Sequence, residues 1–302
     1  MAITAPQMWL DGAMVASADA ELPLMAHAAQ RGSLVFDVGS FHATKRGPAL
    51  FRAREHVARF MRSAKSVGLE LSNSESDLVE AARAVVAACA KDDGLVRWSA
   101  FFEVAEPDLL PRSWKARVAV AAQLYQDPPR VTPVRVATFD DARKAAPDAL
   151  DPSVKVAAAY LGPLLARRRA IAAGADEIVL LDREGHVAEA PTANVFVVSG
   201  GVLRTPPLRY VLAGITRDAV LALAHEEGVA VREEPITREA FASCDEAFLT
   251  ATSFPVAPVG SIDDRTLAGV PGPITSRFVE RFAALQSARD ESHGDWLTFV
   301  RA

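Results

Sequence analysis

The chain has 302 residues, half of them hydrophobic and about a quarter charged, enough for one large domain or two of ordinary size around a substantial core. Its formal net charge of -5 excludes a nucleic-acid surface, which needs a clustered basic excess, and no apolar block is long enough to span a bilayer. Asp11 and Asp19 interrupt any basic-then-apolar secretion signal, and Cys89 and Cys244 read as two structural thiols, so the expected compartment is the cytoplasm.

In chain order, Met8 to Val15 predicts a hairpin around Asp11-Gly12. A strand-like run covers Gly32 to His42. Val57, Phe60, Met61, Ala64 and Val67 recur at helical spacing, which predicts a helix from Arg54 to Val67 ended by Gly68. Ser76 to Ala90 predicts a second helix, and Leu95–Val104 and Ala116–Leu124 two strands. The first half, residues 1–124, is thus α+β. Gln126-Asp127-Pro128-Pro129-Arg130 makes 125–133 the expected interdomain linker, because adjacent prolines stiffen a crossing.

The second half, 134–302, opens with the strand Val134–Ala137 and a helix from Ala159 to Ala173, in which Arg167-Arg168-Arg169 reads as a solvated face. A hairpin Glu177–Glu189 turns at Glu184-Gly185. The strand Asn194–Val198, a turn at Gly200-Gly201 and a helix Thr216–Glu227 with Thr216 at its N-cap follow. Strands Glu246–Thr250 and Val256–Ile262 precede a last helix, Ile274–Ser287. The expected architecture is two α/β-type domains, the second on a mostly β core.

Lys155 stands among small apolar residues, and Glu189 follows 34 residues later at the end of an alternating strand. A desolvated amine is nucleophilic and forms Schiff bases, and a buried carboxylate can hold a proton on a ring nitrogen; pyridoxal phosphate needs both groups. Tyr160 could bond a cofactor phenolate. Gly214-Ile215-Thr216, where a loop enters a helix, has the outward amides and dipole that favour an anion. Thr252-Ser253 adds hydroxyls in a second turn, and Arg59 a positive charge suited to phosphate. Each of these also has an ordinary structural reading. The histidines form no metal-ligand spacing with a carboxylate or cysteine, and no nucleophile elbow or Walker loop is present, so neither zinc nor those chemistries are expected.

Taken in order, these segments resemble the class IV aminotransferases, the pyridoxal-phosphate enzymes of fold type IV, and among them the branched-chain amino-acid aminotransferases. The resemblance runs from Trp9-Leu10-Asp11-Gly12 to the closing helix. It is most specific at Lys155 with Tyr160-Leu161, at Glu189 through Asn194-Val195-Phe196, at Gly214-Ile215-Thr216-Arg217-Asp218 and at Pro271-Gly272-Pro273. It implies a small N-terminal α/β sandwich domain, a larger C-terminal pseudo-barrel α/β domain, and a homodimer or larger homo-oligomer. It also implies roles. Lys155 forms the Schiff base and shuttles the proton, Glu189 meets the pyridine nitrogen, and Tyr160 lies near the cofactor oxygen. Arg59, Ile215, Thr216 and Thr252 hold the phosphate, and Leu212 packs on the ring.

The departures fall in the implied substrate pocket. Arg31 and Leu95 stand where branched-chain enzymes carry tyrosines, and Val38 and Ser40 where they carry glycine and arginine; Phe36 and Arg97 are retained, and Ser253 lines the same pocket. Asp37 replaces a glutamate and Ala251 a glycine. A buried Arg31 would require an anion partner, which a substrate carboxylate could supply. The implied reaction moves an amino group from an amino acid, branched-chain or hydrophobic and L, to a 2-oxo acid. An (R)-amine or D-amino-acid transaminase is the alternative, and a lyase of the aminodeoxychorismate type the third. A cofactor-binding relative without turnover is disfavoured by the intact Lys155 and Glu189.

Overall fold

The computed structural model describes residues 2–89, 93–105, 108–125 and 132–301. Packing divides the chain into two compact units, Met1–Pro129 with Val154–Ala158 and Ala283–Ala302, and Arg130–Ser153 with Ala159–Phe282. The double-proline segment Gln126–Arg130 lies outside the described residues. The short run around Lys155, which follows 134 in sequence, packs with the first unit.

The first unit is built from β1 (Ala2–Leu10), β2 (Ala13–Ala16), α1 (His27–Arg31), β3 (Val35–His42), β4 (Ala49–Phe51), α2 (Ala53–Val67), α3 (Glu75–Ala87), β5 (Gly94–Phe101) and β6 (Arg117–Tyr125). With the last strand, Leu297–Phe299, they form an antiparallel sheet in the order last strand, β4, β3, β5, β6, β1, β2. The first hairpin closes as expected, with Asp11 (φ 47°) and Gly12 (φ 103°) both left-handed, as a two-residue turn matching strand twist requires. α3 begins one residue before the predicted start because Ser74 and Asp77 form a capping box: Asp77 N–H donates to Ser74 Oγ and Ser74 N–H to the Asp77 carboxylate. α2 ends at Gly68, whose left-handed φ of 84° and 2.8 Å approach of Trp114 to any added Cβ leave room for no side chain.

Val57, Phe60 and Ala64 of α2 and Leu78, Ala82 and Val85 of α3 are fully buried. They cover one sheet face, where Trp98 Nε1–H donates to Leu78 O at 3.0 Å. Strand alternation therefore sends Asp37, Gly39 and Trp98 toward the helices, and Phe36, Val38, Ser40, Leu95 and Arg97 to the opposite face.

The second unit carries β7 (Val134–Arg143), α4 (Leu161–Ala172), β8 (Glu177–Leu181), β9 (Glu189–Ala190), β10 (Ala193–Ser199), β11 (Val202–Thr205), α5 (Ile215–Glu226), β12 (Val231–Glu233), α6 (Arg238–Ala242), β13 (Glu246–Ala251), β14 (Phe254–Ile262), β15 (Arg265–Thr266) and, up to Phe282, α7 (Pro273–Gln286). Its mixed sheet runs β12-β11-β10-β13-β14-β7-β8, with β9 added to β10 and β15 to β14; it is the curled half-barrel expected of this half. Val195, Val197, Ala247 and Leu249 point into the main core cluster. The other face of β10 and β13 presents Asn194 opposite Thr250 and Phe196 stacked on Phe248 at 5.1 Å.

Two expectations are corrected here. The predicted Glu177–Glu189 hairpin shrinks to a single bridge, Leu181 to Val187, because Val187 N–H donates to Ile236 O and the chain then gives its ladder to β10. The N-cap of α5 is Gly214, not Thr216, which sits inside the first turn. In α4 only Ala170 is buried, and its leucines face outward. Arg167 and Arg169 are half-exposed as expected, and they pair with Glu177 and Asp141. Among the described residues no helix is long and apolar enough to cross a membrane, and no group of three His, Cys, Asp or Glu could hold a metal.

Candidate active site

In the first unit, Lys155 is fixed through its main chain. Lys155 N–H donates to Ser63 Oγ at 3.1 Å, and Phe36 N–H donates to Lys155 O at 3.1 Å. One bond ties it to α2 and the other to β3, and a bridge from Val156 to Val35 extends the second tie. Its Nζ lies 5.0 Å from the Phe36 ring centroid, and the Arg97 guanidinium lies 4.7 Å from the same ring. Phe36 thus gathers two cations on the sheet face opposite the helices, with Val38 directly opposite Arg97 in register.

Behind that face Arg59 is buried at 5 % exposure, not solvated as an ordinary helix charge. Its Nε and Nη2 donate to the two oxygens of Asp37 at 2.7 and 2.8 Å. His56 Nδ1 and Val38 N–H complete the set around Asp37 Oδ1, each at 2.7 Å. Burial alone would raise the Asp37 pKa; the adjacent Arg59 charge, with hydrogen bonds from Arg59 and His56, more than offsets it and holds the carboxyl well below the usual range. Burial pushes the His56 pKa down despite Asp37, so a neutral ring donates its Nδ1 proton.

In the second unit, Glu189 is the centre of a clamp. Asn194 Nδ2 and Leu212 N–H each donate to its Oε2 at 3.0 Å, and Lys144 Nζ pairs with its Oε1. Asn194 Nδ2 also donates to Leu212 O at 3.0 Å, tying the 212–214 turn to β10. Gly214 closes the turn: a Cβ there would stand 2.0 Å from Asn194 Oδ1, so only glycine fits. Three residues on from Leu212, α5 begins with no side-chain cap, leaving Ile215 and Thr216 in the anion-favouring first turn. Glu189 and the start of α5 are therefore parts of one local structure. Thr250 Oγ1, buried and on the Asn194 face, has no hydrogen-bond partner.

The remaining expected residues lie on several elements. Tyr160 is half-buried at the start of α4, and Thr252 and Ser253 form the turn between β13 and β14. Leu95 is buried, and the buried Ser40 hydroxyl is engaged by His42 Nε2 at 2.9 Å. Arg31 is exposed at the end of α1, where its hydrogen bond reaches only the neighbouring Gln30 carbonyl. The anion partner that a buried Arg31 would require is therefore not required in this chain by itself.

Lys144, Asn194, Asp37 and His56 were given no site role by sequence. Asn194 and Asp37 had a signal: each is a polar residue inside an apolar strand, where burial demands partners. Lys144, at the end of β7, had none.

A family model described as amino-transferase class IV matches residues 35–262. The branched-chain-amino-acid aminotransferase of Pseudomonas aeruginosa is 32% identical over 299 residues, covering 97% of each chain. That of Escherichia coli K12 is 33% identical over 302 residues, covering 98% of each. Among solved structures, the Escherichia coli branched-chain amino acid aminotransferase matches with a TM-score of 0.93 at 31% identity, covering 98% of this chain and 100% of that one. The branched-chain aminotransferase of Thermoproteus uzoniensis with norvaline matches with a TM-score of 0.93 at 32% identity, covering 97% and 99%. With the family model spanning most of the chain and full-length relatives at this identity, the chain belongs to the class IV aminotransferases.

Proposed function

We propose that the chain is a pyridoxal-phosphate aminotransferase that moves the amino group of a branched-chain or other hydrophobic L-amino acid to a 2-oxo acid. The observation that carries the reading is the Glu189 clamp. An ionised carboxylate has about four acceptor sites, and among the described residues three are filled, from Lys144, Asn194 and Leu212. One acceptor site remains for the protonated nitrogen of a pyridine ring. The donor set fits the rest of the cofactor too: a fixed lysine amine, a buried guanidinium in Arg59, and the opening turn of α5 for the phosphate.

Pyridoxal phosphate, when bound, supplies a carbonyl carbon that takes up and releases the amino group and a ring that withdraws electrons. Lys155 Nζ would be the amine that holds the cofactor and the base that moves the proton at the donor Cα. Glu189 would hold the ring-nitrogen proton, Arg59, Ile215, Thr216 and Thr252 would hold the phosphate, Leu212 would pack against the ring, and Tyr160 would meet its oxygen. Phe36, Val38, Leu95 and Arg97, with Ser40, Arg31 and Ser253, shape the space for the substrate side chain.

A donor panel tests the assignment. L-Leucine with 2-oxoglutarate is expected to be turned over at least tenfold faster than D-alanine or (R)-1-phenylethylamine with pyruvate. Val38, two residues from Phe36 on the same strand face, and Arg31 favour a second reading, an (R)-amine or D-amino-acid transaminase. A reversed ranking in the panel would replace the first reading by that one.

The chain is proposed to act as a homodimer or larger homo-oligomer. Leu161, Leu164, Leu165 and Ile171 make one exposed apolar stripe on α4, each more than half accessible, and such stripes are association surfaces. Sedimentation equilibrium should give a mass of at least twice the chain, and Leu164→Glu with Leu165→Glu should weaken association at least tenfold. A monomeric wild type would refute the assembly. The free thiols Cys89 and Cys244 suit a cytoplasmic setting.

A further inference from the structure

Lys144 follows β7 directly, and its main-chain N–H donates to Leu181 O at 2.8 Å, so its Cα is anchored to β8. From there its side chain reaches Glu189 Oε1 while Asn194 Nδ2 and Leu212 N–H occupy Oε2. Both charged side chains are largely removed from solvent, at 16% and 12% exposure. The donors differ in kind. Two are neutral and directional; only Lys144 brings a full charge. We infer that Lys144 is a positioning residue for the reaction: its cation sets how strongly Glu189 holds the ring-nitrogen proton, an inference that rests on the function proposed above.

The reasoning is electrostatic. A buried carboxylate facing a ring N–H has two ways to share that proton. It can leave it on the ring as an ion pair, or draw it across and become a neutral acid. Burial without a counter-charge favours the neutral arrangement, because desolvation penalises charge. A lysine cation on the far oxygen stabilises the carboxylate and lowers its basicity, so the proton stays on the ring. Removing only the cation leaves the two neutral donors and Glu189 in place. The proton then moves toward Glu189 and the ring loses electron-withdrawing power, although nothing that touches the cofactor has been altered.

Lys144→Met keeps chain length and discards the charge; Lys144→Arg keeps the charge. The holoenzymes are compared by 15N NMR of pyridoxal phosphate labelled at the ring nitrogen, together with kcat and KM. Wild type and Lys144→Arg are expected to show a protonated-ring resonance. Lys144→Met is expected to shift toward the neutral-pyridine position and to lose about 10- to 100-fold in kcat with KM within threefold, in the range of a lost supporting contact. A Lys144→Met enzyme of unchanged 15N shift and kcat would overturn the inference while leaving the aminotransferase reading intact. Equal loss in Lys144→Arg and Lys144→Met, with the ring still protonated in both, would also overturn it and reduce the contact to packing. A wild type that binds no labelled cofactor would instead refute the functional reading itself.

Discussion

Replacing Lys155 by alanine is expected to lower transamination by at least about 10⁴-fold, the upper range for losing a positioned general base, before the loss of its covalent role is added. The ties that place Lys155 run through its main chain: its N–H to Ser63 Oγ, its carbonyl from Phe36 N–H. Alanine keeps both, so only the amine is subtracted and the thermal midpoint should stay near that of the wild type. Reduction with borohydride followed by peptide mass spectrometry separates the two roles of the amine. The wild-type peptide containing Lys155 should carry the reduced cofactor and the alanine variant none. The variant should still bind pyridoxal phosphate through the phosphate contacts, seen as quenching of protein fluorescence. Turnover within tenfold of wild type would remove Lys155 from the mechanism. Lys155→Arg should be as inactive as alanine, since guanidinium keeps a positive charge but is no nucleophile at neutral pH.

The contrast between Lys155 and Glu189 marks how far sequence carries this fold. α2, α3 and α5 were legible because a 3.6-residue period and terminal glycines or caps are local signals. β4 and the last strand are too short to show a period, and α1 is a single turn; these form because a neighbouring strand or loop receives them. The candidate site divides along the same line. Lys155, Glu189 and Arg59 could be named because their residue types fit a chemistry and their order resembles a family. Their supporting contacts could not. Lys144 meets Glu189 across 45 residues and Asp37 meets Arg59 across 22, separations set only by which strands become neighbours.

Asp37 is expected to carry a large structural effect. It is fully buried and accepts two hydrogen bonds from Arg59, one from His56 and one from Val38 N–H. Asp37→Ala strands a buried guanidinium and a buried imidazole. Breaking such a pair from one side costs about 3–5 kcal/mol, on the order of 10 °C in thermal midpoint for a unit of this size. Asp37→Asn is the sharper test. It keeps the shape but turns one acceptor into a donor facing Arg59, so it should recover packing without recovering the ion pair.

The pH dependence gives the sign. The folded Asp37 pKa lies below its unfolded value of 3.8, so the unfolded chain binds the proton more readily. Its contribution is therefore fully present above about pH 4 and is lost as pH falls further. Wild-type stability should drop more steeply below pH 4 than that of Asp37→Asn, with the two curves parallel above it. Parallel curves throughout would mean that Asp37 has the same pKa in the folded and the unfolded chain. Through Arg59 the same variants should weaken pyridoxal-phosphate binding at least tenfold, since a guanidinium no longer held by two bonds must be ordered at the cost of binding energy. That effect is measured on the apo protein by fluorescence titration. A stability loss with unchanged cofactor affinity would assign Asp37 to the fold alone and free Arg59 from the phosphate.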